Sequence, residues 1–140
     1  MSARPRVLVT GRLLDPAPAL LAERCQVVQP DGRSLREAAV GCPGIVAHYL
    51  DTVDDALLAT PGLRVVAAVS TGIDNIDLAA ATRHGVVVVN APTGNTTSAA
   101  EHAVALMLAL ARHIPEADAS LKGGQWQRSR FVGVELRCKT

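Results

Sequence analysis

The stretch NAPTGNTTSAAEH (90–102) sets Asn, Thr and Ser side chains between two apolar runs, GVVVV (85–89) and AVALMLALA (103–111). Ser98 and Glu101 are spaced as a capping box, in which a hydroxyl and a carboxylate satisfy the first free N–H groups of a helix. That spacing puts Asn95, Thr96 and Thr97 at or just before the positive end of the helix. There the Asn95 amide can donate to an anion or a carbonyl, although Asn, Thr and Ser also serve in such places simply as caps. A second polar turn, VSTGIDNID (69–77), leaves an apolar strand through Ser70, Thr71 and Gly72. Side chains this small let the backbone N–H groups of Thr71, Gly72 and Ile73 approach a carboxylate as a nest. The competing reading is an ordinary strand-to-helix turn, with Gly72 at positive φ and Asp74 and Asn75 capping locally.

The remaining candidates are weaker. His48 ends an apolar run and can meet an anionic substrate, or be a merely exposed or internally bonded histidine. His102 adjoins Glu101, but there is no H-E-x-x-H, so no metal site is expected. His84 and His113 are expected at helix C-termini, where an imidazole complements the dipole. Cys25, Cys42 and Cys138 are odd in number and form no C-x-x-C, which favours reduced thiols in packing roles and a cytoplasmic location. In QWQRSRF (125–131), Arg128 and Arg130 flank Trp126 and Phe131. Such a segment is either a solvated tail or an oligomer contact built on aromatic anchors and arginines. Neither G-x-G-x-x-G nor G-x-x-x-x-G-K-[ST] occurs, nor a nucleophile elbow.

The elements that position these residues follow from periodicity. Short Val- and Ile-rich runs at 6–10, 25–29, 44–49, 64–69 and 86–90 alternate with helical segments. Asp15 before Pro16, Ser34 with Glu37, Thr52 with Asp55, and Asp77 are the expected helix starts, and Gly41 and Gly85 the expected stops. Strands that are continuously apolar are covered on both faces, which predicts a doubly wound, five-stranded parallel α/β sheet. In such a sheet ligands bind beyond the carboxyl ends of the strands, at Thr10-Gly11, His48-Tyr49, Ser70 to Gly72 and the 90–95 loop. A change of character near residues 91–95 divides the chain into a domain of 1–92 and a segment of 93–140, the latter a long helix over 99–114 and a polar tail. That helix is apolar on nearly all sides, which implies a partner surface.

With 140 residues, 49% of them hydrophobic, the chain can build a real core, and because only 2% are aromatic the core must be aliphatic. A net charge of +1 without a basic run argues against nucleic acid. The longest apolar run is too short to span a bilayer, and no leader peptide is expected.

Taken together, TGIDNID, NAPTGNTTSAAEH and the terminal GVELRCKT closely resemble the amino-terminal part of the D-isomer-specific 2-hydroxyacid dehydrogenases, most of all their D-3-phosphoglycerate dehydrogenase branch. The similarity is dense over 63–140 and looser over 7–58. It implies a flavodoxin-like substrate, or lid, domain, and an oxidoreductase that moves hydride between the nicotinamide of NAD and C2 of a 2-hydroxy or 2-keto acid. The branch as a whole implies serine biosynthesis. The resemblance implies that Ser70, Thr71, Gly72 and Ile73 hold the substrate carboxylate, with Asn95 and His48 at the same end of the cleft. It also implies that the 99–114 helix crosses into a nucleotide-binding domain, and that 120–131, with Trp126 and Arg128, is an arm reaching a partner subunit of a homodimer. Two positions depart from the branch: His48 stands where an arginine usually meets the substrate phosphate, and Cys138 where a small residue is common. In the family the Rossmann motif and the catalytic Arg, Glu and His come after KT, so these 140 residues are expected to be a truncated or divided enzyme, inactive alone. The alternative is a non-catalytic carboxylate-binding or dimerisation module derived from that family.

Overall fold

The computed structural model describes residues 4–137. Five strands, β1 (Arg6–Val9), β2 (Gln26–Val28), β3 (Gly44–Ala47), β4 (Val65–Ala68) and β5 (Val87–Val89), form one sheet in the order β2-β1-β3-β4-β5. Every neighbouring pair is parallel, with Leu8 opposite Ile45 and Ile45 opposite Val66. The expected doubly wound α/β sheet is therefore present. Between the strands lie α1 (Ala17–Arg24), α2 (Leu35–Ala39), α3 (Asp55–Leu58) and α4 (Leu78–His84). Two longer helices follow, α5 (Thr96–Ala111) and α6 (Ile114–Lys122), and then a 3-10 turn at Arg128–Phe131.

Right-handed crossovers set α2, α3 and α4 on one face, because the chain moves across the sheet in one direction from β2 onward, and set α1 on the other. The core lies on the three-helix face: Leu8, Ile45 and Val66 meet Ala38, Ala39, Leu57, Leu58, Ala80 and Ala81, and the buried Cys42. Small alanines on α2 and α4 bring helix and sheet close, and branched aliphatics fill the space between. The opposite face is less well covered than continuous apolar strands suggest. No residue of α1 is buried, and Val87 and Val89 of β5 remain 59% and 46% exposed.

Two helix starts agree with the sequence. Ser34 and Glu37 form the full capping box, and bonding to the Ser34 hydroxyl and backbone N–H holds the Glu37 carboxyl below its ordinary range. Asp77 caps α4 by accepting from Ala80 N at 2.8 Å, and Gly85 closes it at φ 66°, a conformation that glycine adopts without strain.

Three starts differ. Pro16, not Asp15, is the N-cap of α1, and no side chain caps that helix. Asp54 replaces Thr52 as the cap of α3, accepting from Leu57 N at 2.9 Å, which releases Asp55 to bond Arg83 and His84 on α4. α5 begins at Thr96, so Ser98 and Glu101 lie inside it and make no capping box; Asn95 is the N-cap. The helix also ends earlier than expected, at Ala111. His113 takes a left-handed conformation at φ 53° and starts α6 instead of closing one long helix.

The chain divides into two compact units, one ending at Gly94 and one beginning at Asn95. In the second, Val134 N donates to Ala111 O at 2.9 Å, and Gly133 passes so close that a Cβ there would stand 2.3 Å from the same oxygen. Cys138 and the KT after it lie outside the described residues.

Candidate functional site

All five strands run the same way, so β1, β3, β4 and β5 deliver their following loops to one edge of the sheet. Hydrogen bonds brace these loops to one another. Thr10 follows β1 and donates its backbone N–H to Val46 O at 3.1 Å and its hydroxyl to the Asp51 carboxylate. The His48 backbone N–H, just past β3, is shared between Thr10 Oγ1 at 2.9 Å and Asp51 Oδ2 at 3.1 Å. Asn75 donates its amide to Asp51 O at 2.8 Å and His48 O at 3.3 Å, while Val53 pairs with Ile76 in a parallel bridge. Asn75 is thus a brace between loops, not the local cap expected of it.

A second set of bonds joins the β4–α4 turn to the segment after β5. Asn90 donates to Thr71 O at 2.7 Å, Thr71 Oγ1 donates to Ala91 O at 3.2 Å, and Ala91 N donates to Ser70 O at 3.2 Å. Ser70 Oγ closes the turn on Gly72 O at 2.7 Å. Thr71 and Gly72 are exposed, and Ile73 is half-buried against the core. Gly72 does not take a positive φ, contrary to the ordinary-turn reading; a side chain there would instead press on Asp74 Oδ2, 3.2 Å from an added Cβ. Glycine here leaves the backbone bare. Among the described residues the N–H groups of Gly72 and Ile73 donate to no protein acceptor, so one turn carries two adjacent donors without a protein partner. Such a pair can hold a carboxylate through charge-assisted hydrogen bonds.

His48 is half-buried, with its ring 4.2 Å from that of Tyr49. Its Nδ1 accepts from Leu50 N at 3.4 Å, which leaves the neutral ring's proton on Nε2. Gly11 packs against the same ring; a Cβ on Gly11 would lie 2.8 Å from His48 Cβ and Cγ. His48, Ser70, Thr71, Gly72 and Ile73 thus belong to one braced edge, with the Asn75 side chain as the link. Asp51 and Asn75 are the functional-edge residues that motif reading missed. The spacing of HYLD, an acid three residues after the strand-end histidine, is the available signal for the first.

Asn95 opens the second unit. Its carbonyl accepts from Ala99 N at 2.8 Å, and its side chain does not cap the helix. α5 buries no residue, and Val104, Leu106, Met107, Leu108 and Leu110 are all at least 43% exposed. Further along, Trp126 and Arg128 line a groove of about 430 Å³ with Ile114, Leu121 and Phe131, and the Arg130 guanidinium lies 5.7 Å from the Phe131 ring.

The β1–α1 turn does not fit a dinucleotide. It lacks the glycine triad, and Pro16 and Pro18 remove donors from the first turn of α1, where a pyrophosphate would need them. No cluster of ligating side chains suited to a metal occurs among the described residues, and no helix there is long and apolar enough to cross a membrane.

The family model described as D-isomer specific 2-hydroxyacid dehydrogenase, catalytic domain, matches residues 7–135. The D-3-phosphoglycerate dehydrogenase of Mycobacterium leprae is 44% identical over 140 residues, 97% of this chain and 26% of its own length. The enzyme of that name from Archaeoglobus fulgidus is 56% identical over 97 residues, 69% of this chain and 18% of its own. Among solved structures, the NADPH-dependent glyoxylate/hydroxypyruvate reductase of Sinorhizobium meliloti, in complex with NADP and malonate, matches with a TM-score of 0.78 at 28% identity, over 96% of this chain and 44% of that one. The chain thus spans about a quarter of the mycobacterial relative and under half of the reductase. With a parallel sheet of this order, a match over nearly its whole length and relatives of this identity, the chain belongs to the D-isomer-specific 2-hydroxyacid dehydrogenase family, on its D-3-phosphoglycerate dehydrogenase side.

Proposed function

We propose that this chain supplies the acid-binding half of an NAD-dependent 2-hydroxyacid dehydrogenase site. The observation that carries the reading is the pair of N–H groups on Gly72 and Ile73 that meet no protein acceptor among the described residues, in a turn braced by Asn90 and Asn75 at the carboxyl edge of the sheet. The family's reaction moves hydride between C2 of the acid and the nicotinamide. The sequence holds no G-x-G-x-x-G and the β1–α1 turn does not fit the dinucleotide, so the part assigned to these residues is to bind and orient the acid. Backbone donors fixed by the fold suit that task because little freedom is lost when a carboxylate arrives.

In this reading Ser70 and Thr71 shape the turn. His48 presents one Nε2 donor where a guanidinium would present a fixed fork, so it holds a phosphate less firmly than arginine does. That favours a small unphosphorylated 2-hydroxy or 2-keto acid over 3-phosphoglycerate, and with it a role outside serine biosynthesis. Malonate bound to the Sinorhizobium reductase supports a carboxylate as the group recognised.

Calorimetry with malonate, lactate, glycerate and 3-phosphoglycerate tests the proposal. Saturable heat is expected with the first three. Gly72→Pro deletes one donor and is expected to weaken binding about tenfold, the loss of one hydrogen bond to a charged group, while circular dichroism confirms that the variant is folded. Mixed with NADH and pyruvate or hydroxypyruvate, the 140 residues alone are expected to leave the nicotinamide absorbance unchanged; unaided oxidation contradicts the division of labour.

A second reading, a module whose work is association, is favoured by one observation: the exposure of every large apolar side chain on α5. We propose α5 and 120–131, with Trp126 and Arg128, as the surfaces of a homodimer or of a second domain. Both readings hold together if the acid site and the interface belong to one cytoplasmic enzyme. Absence of heat with every acid, together with dimers in solution, leaves the second reading alone.

A further inference from the structure

A separate groove opens beside β1 and β2, on the face that α1 only partly covers. It encloses about 480 Å³, within the size range of small-molecule sites. Its floor is aliphatic, from Val9, Leu13, Leu21 and Val27, and its polar edge carries Arg12 and Gln29. No acidic side chain lines it. Arg12 makes no hydrogen bond or ion pair among the described residues, although other arginines of this unit, Arg4, Arg33 and Arg83, are engaged.

The placement follows from sequence. Pro16 is the N-cap of α1 with no side-chain cap, Pro18 lies in its first turn, and α1 buries none of its residues. Leu21 is half-buried at the groove while Leu20, its neighbour, is 57% exposed. The space between helix and sheet is left apolar and open, with a single positive charge at its mouth.

We propose that this groove binds a short aliphatic carboxylate, with its chain on Val9, Leu13, Leu21 and Val27 and its carboxylate on the Arg12 guanidinium beside the Gln29 amide. Guanidinium matches a carboxylate in a bidentate fork, and the apolar floor gains from every methylene removed from water. The site is distinct from the Gly72 and Ile73 donors, which belong to the turn after β4. It adjoins Gly11, however, whose backbone packs on the His48 ring, so an occupant touches the loop that supports the acid-binding edge.

The test is an amide NMR titration of the 140-residue chain with hexanoate, with 1-hexanol and acetate as parallel arms. Saturable shifts of the Arg12, Leu13 and Gln29 amides are expected with hexanoate. Each parallel arm retains only half of the recognition and is expected to bind at least about tenfold more weakly, since either the charged hydrogen bond or several buried methylenes are missing. Arg12→Gln, an exposed substitution that leaves the fold intact, is expected to weaken hexanoate to the level of hexanol. Leu21→Trp fills the floor and is expected to abolish the shifts. Equal binding of hexanoate to the parent and to Arg12→Gln, shifts confined to Gly72 and Ile73, or no saturable shift at all overturns the proposal; the last two outcomes leave the acid-binding turn to be judged on its own.

Discussion

Replacing Asp51 by alanine is expected to loosen the edge on which the acid-binding turn depends. The Asp51 carboxylate accepts from the Thr10 hydroxyl and from the His48 backbone N–H. A hydrogen bond to a charged group contributes about 1.5–3 kcal/mol when its partner is left without a substitute. Here substitutes exist: Thr10 Oγ1 also reaches Val46 O at 3.4 Å, and His48 N also donates to Thr10 Oγ1 at 2.9 Å. Asp51 is half-buried, so solvent recovers part of the rest. The net cost is therefore about 1–2 kcal/mol, equivalent to a melting shift of about 5–15 °C for a domain of this size. Urea unfolding followed by far-ultraviolet circular dichroism at low chain concentration reads it. A cycle with Thr10→Val isolates the pair, and a coupling of about 0.5 kcal/mol or more is expected. A stability within about 0.5 kcal/mol of the parent, the range of ordinary surface changes, or strictly additive effects in the cycle, refutes the view that Asp51 joins β1 to β3.

Other outcomes follow from the packing and the charges. Leu58, 1% exposed in the core, is expected to cost about 2–5 kcal/mol on truncation to alanine, measured by the same unfolding curve. Hydrogen bonds from Arg83, and then from His84, hold the Asp55 carboxyl below its ordinary value of 3.8. Its contribution is therefore complete above that value and lost as pH falls through the lower folded one, so Asp55→Asn is expected to flatten the acid limb of stability against pH, leaving the slope due to Glu37. Added salt is expected to shrink the same difference, because both ends of the Asp55–Arg83 pair are exposed. On α5, the double change Met107→Glu with Leu110→Glu is expected to reduce self-association in light scattering, since both side chains are at least half exposed and apolar. An unchanged association state places the sticky surface elsewhere.

The alternating apolar runs foretold all five strands, and local capping chemistry foretold the starts of α2 and α4. Those features are short-range: Ser34 with Glu37, and Asp77 with Gly85, act within one helical turn. Where two nearby residues compete for the same role, the sequence is less informative. Asp54 outcompetes Thr52 because its carboxylate reaches Leu57 N, and α5 starts at Thr96 with Asn95 as its N-cap although the β-branched Thr96 and Thr97 are weak helix formers. At the candidate site the turn residues Ser70 to Ile73 were visible through their small size and their position after β4. Asp51 and Asn75 were not, because the partners that tie them to other loops lie 24 to 41 residues away and only the parallel order of β1, β3 and β4 brings them together. Coverage of the second sheet face was misread for a related reason. Continuous valines mark a strand that needs cover on both sides, and they do not say which segment provides it.

An amide-resolved NMR titration with malonate is the most direct test of the claim that the turn after β4 receives an organic acid. The Gly72 and Ile73 amides are expected to shift most, with one common saturation curve, and Asn90→Ala, which removes one of the bonds between the turn and the segment after β5, is expected to lower the affinity. Malonate shifts that cluster away from these two amides, or that never saturate, contradict it.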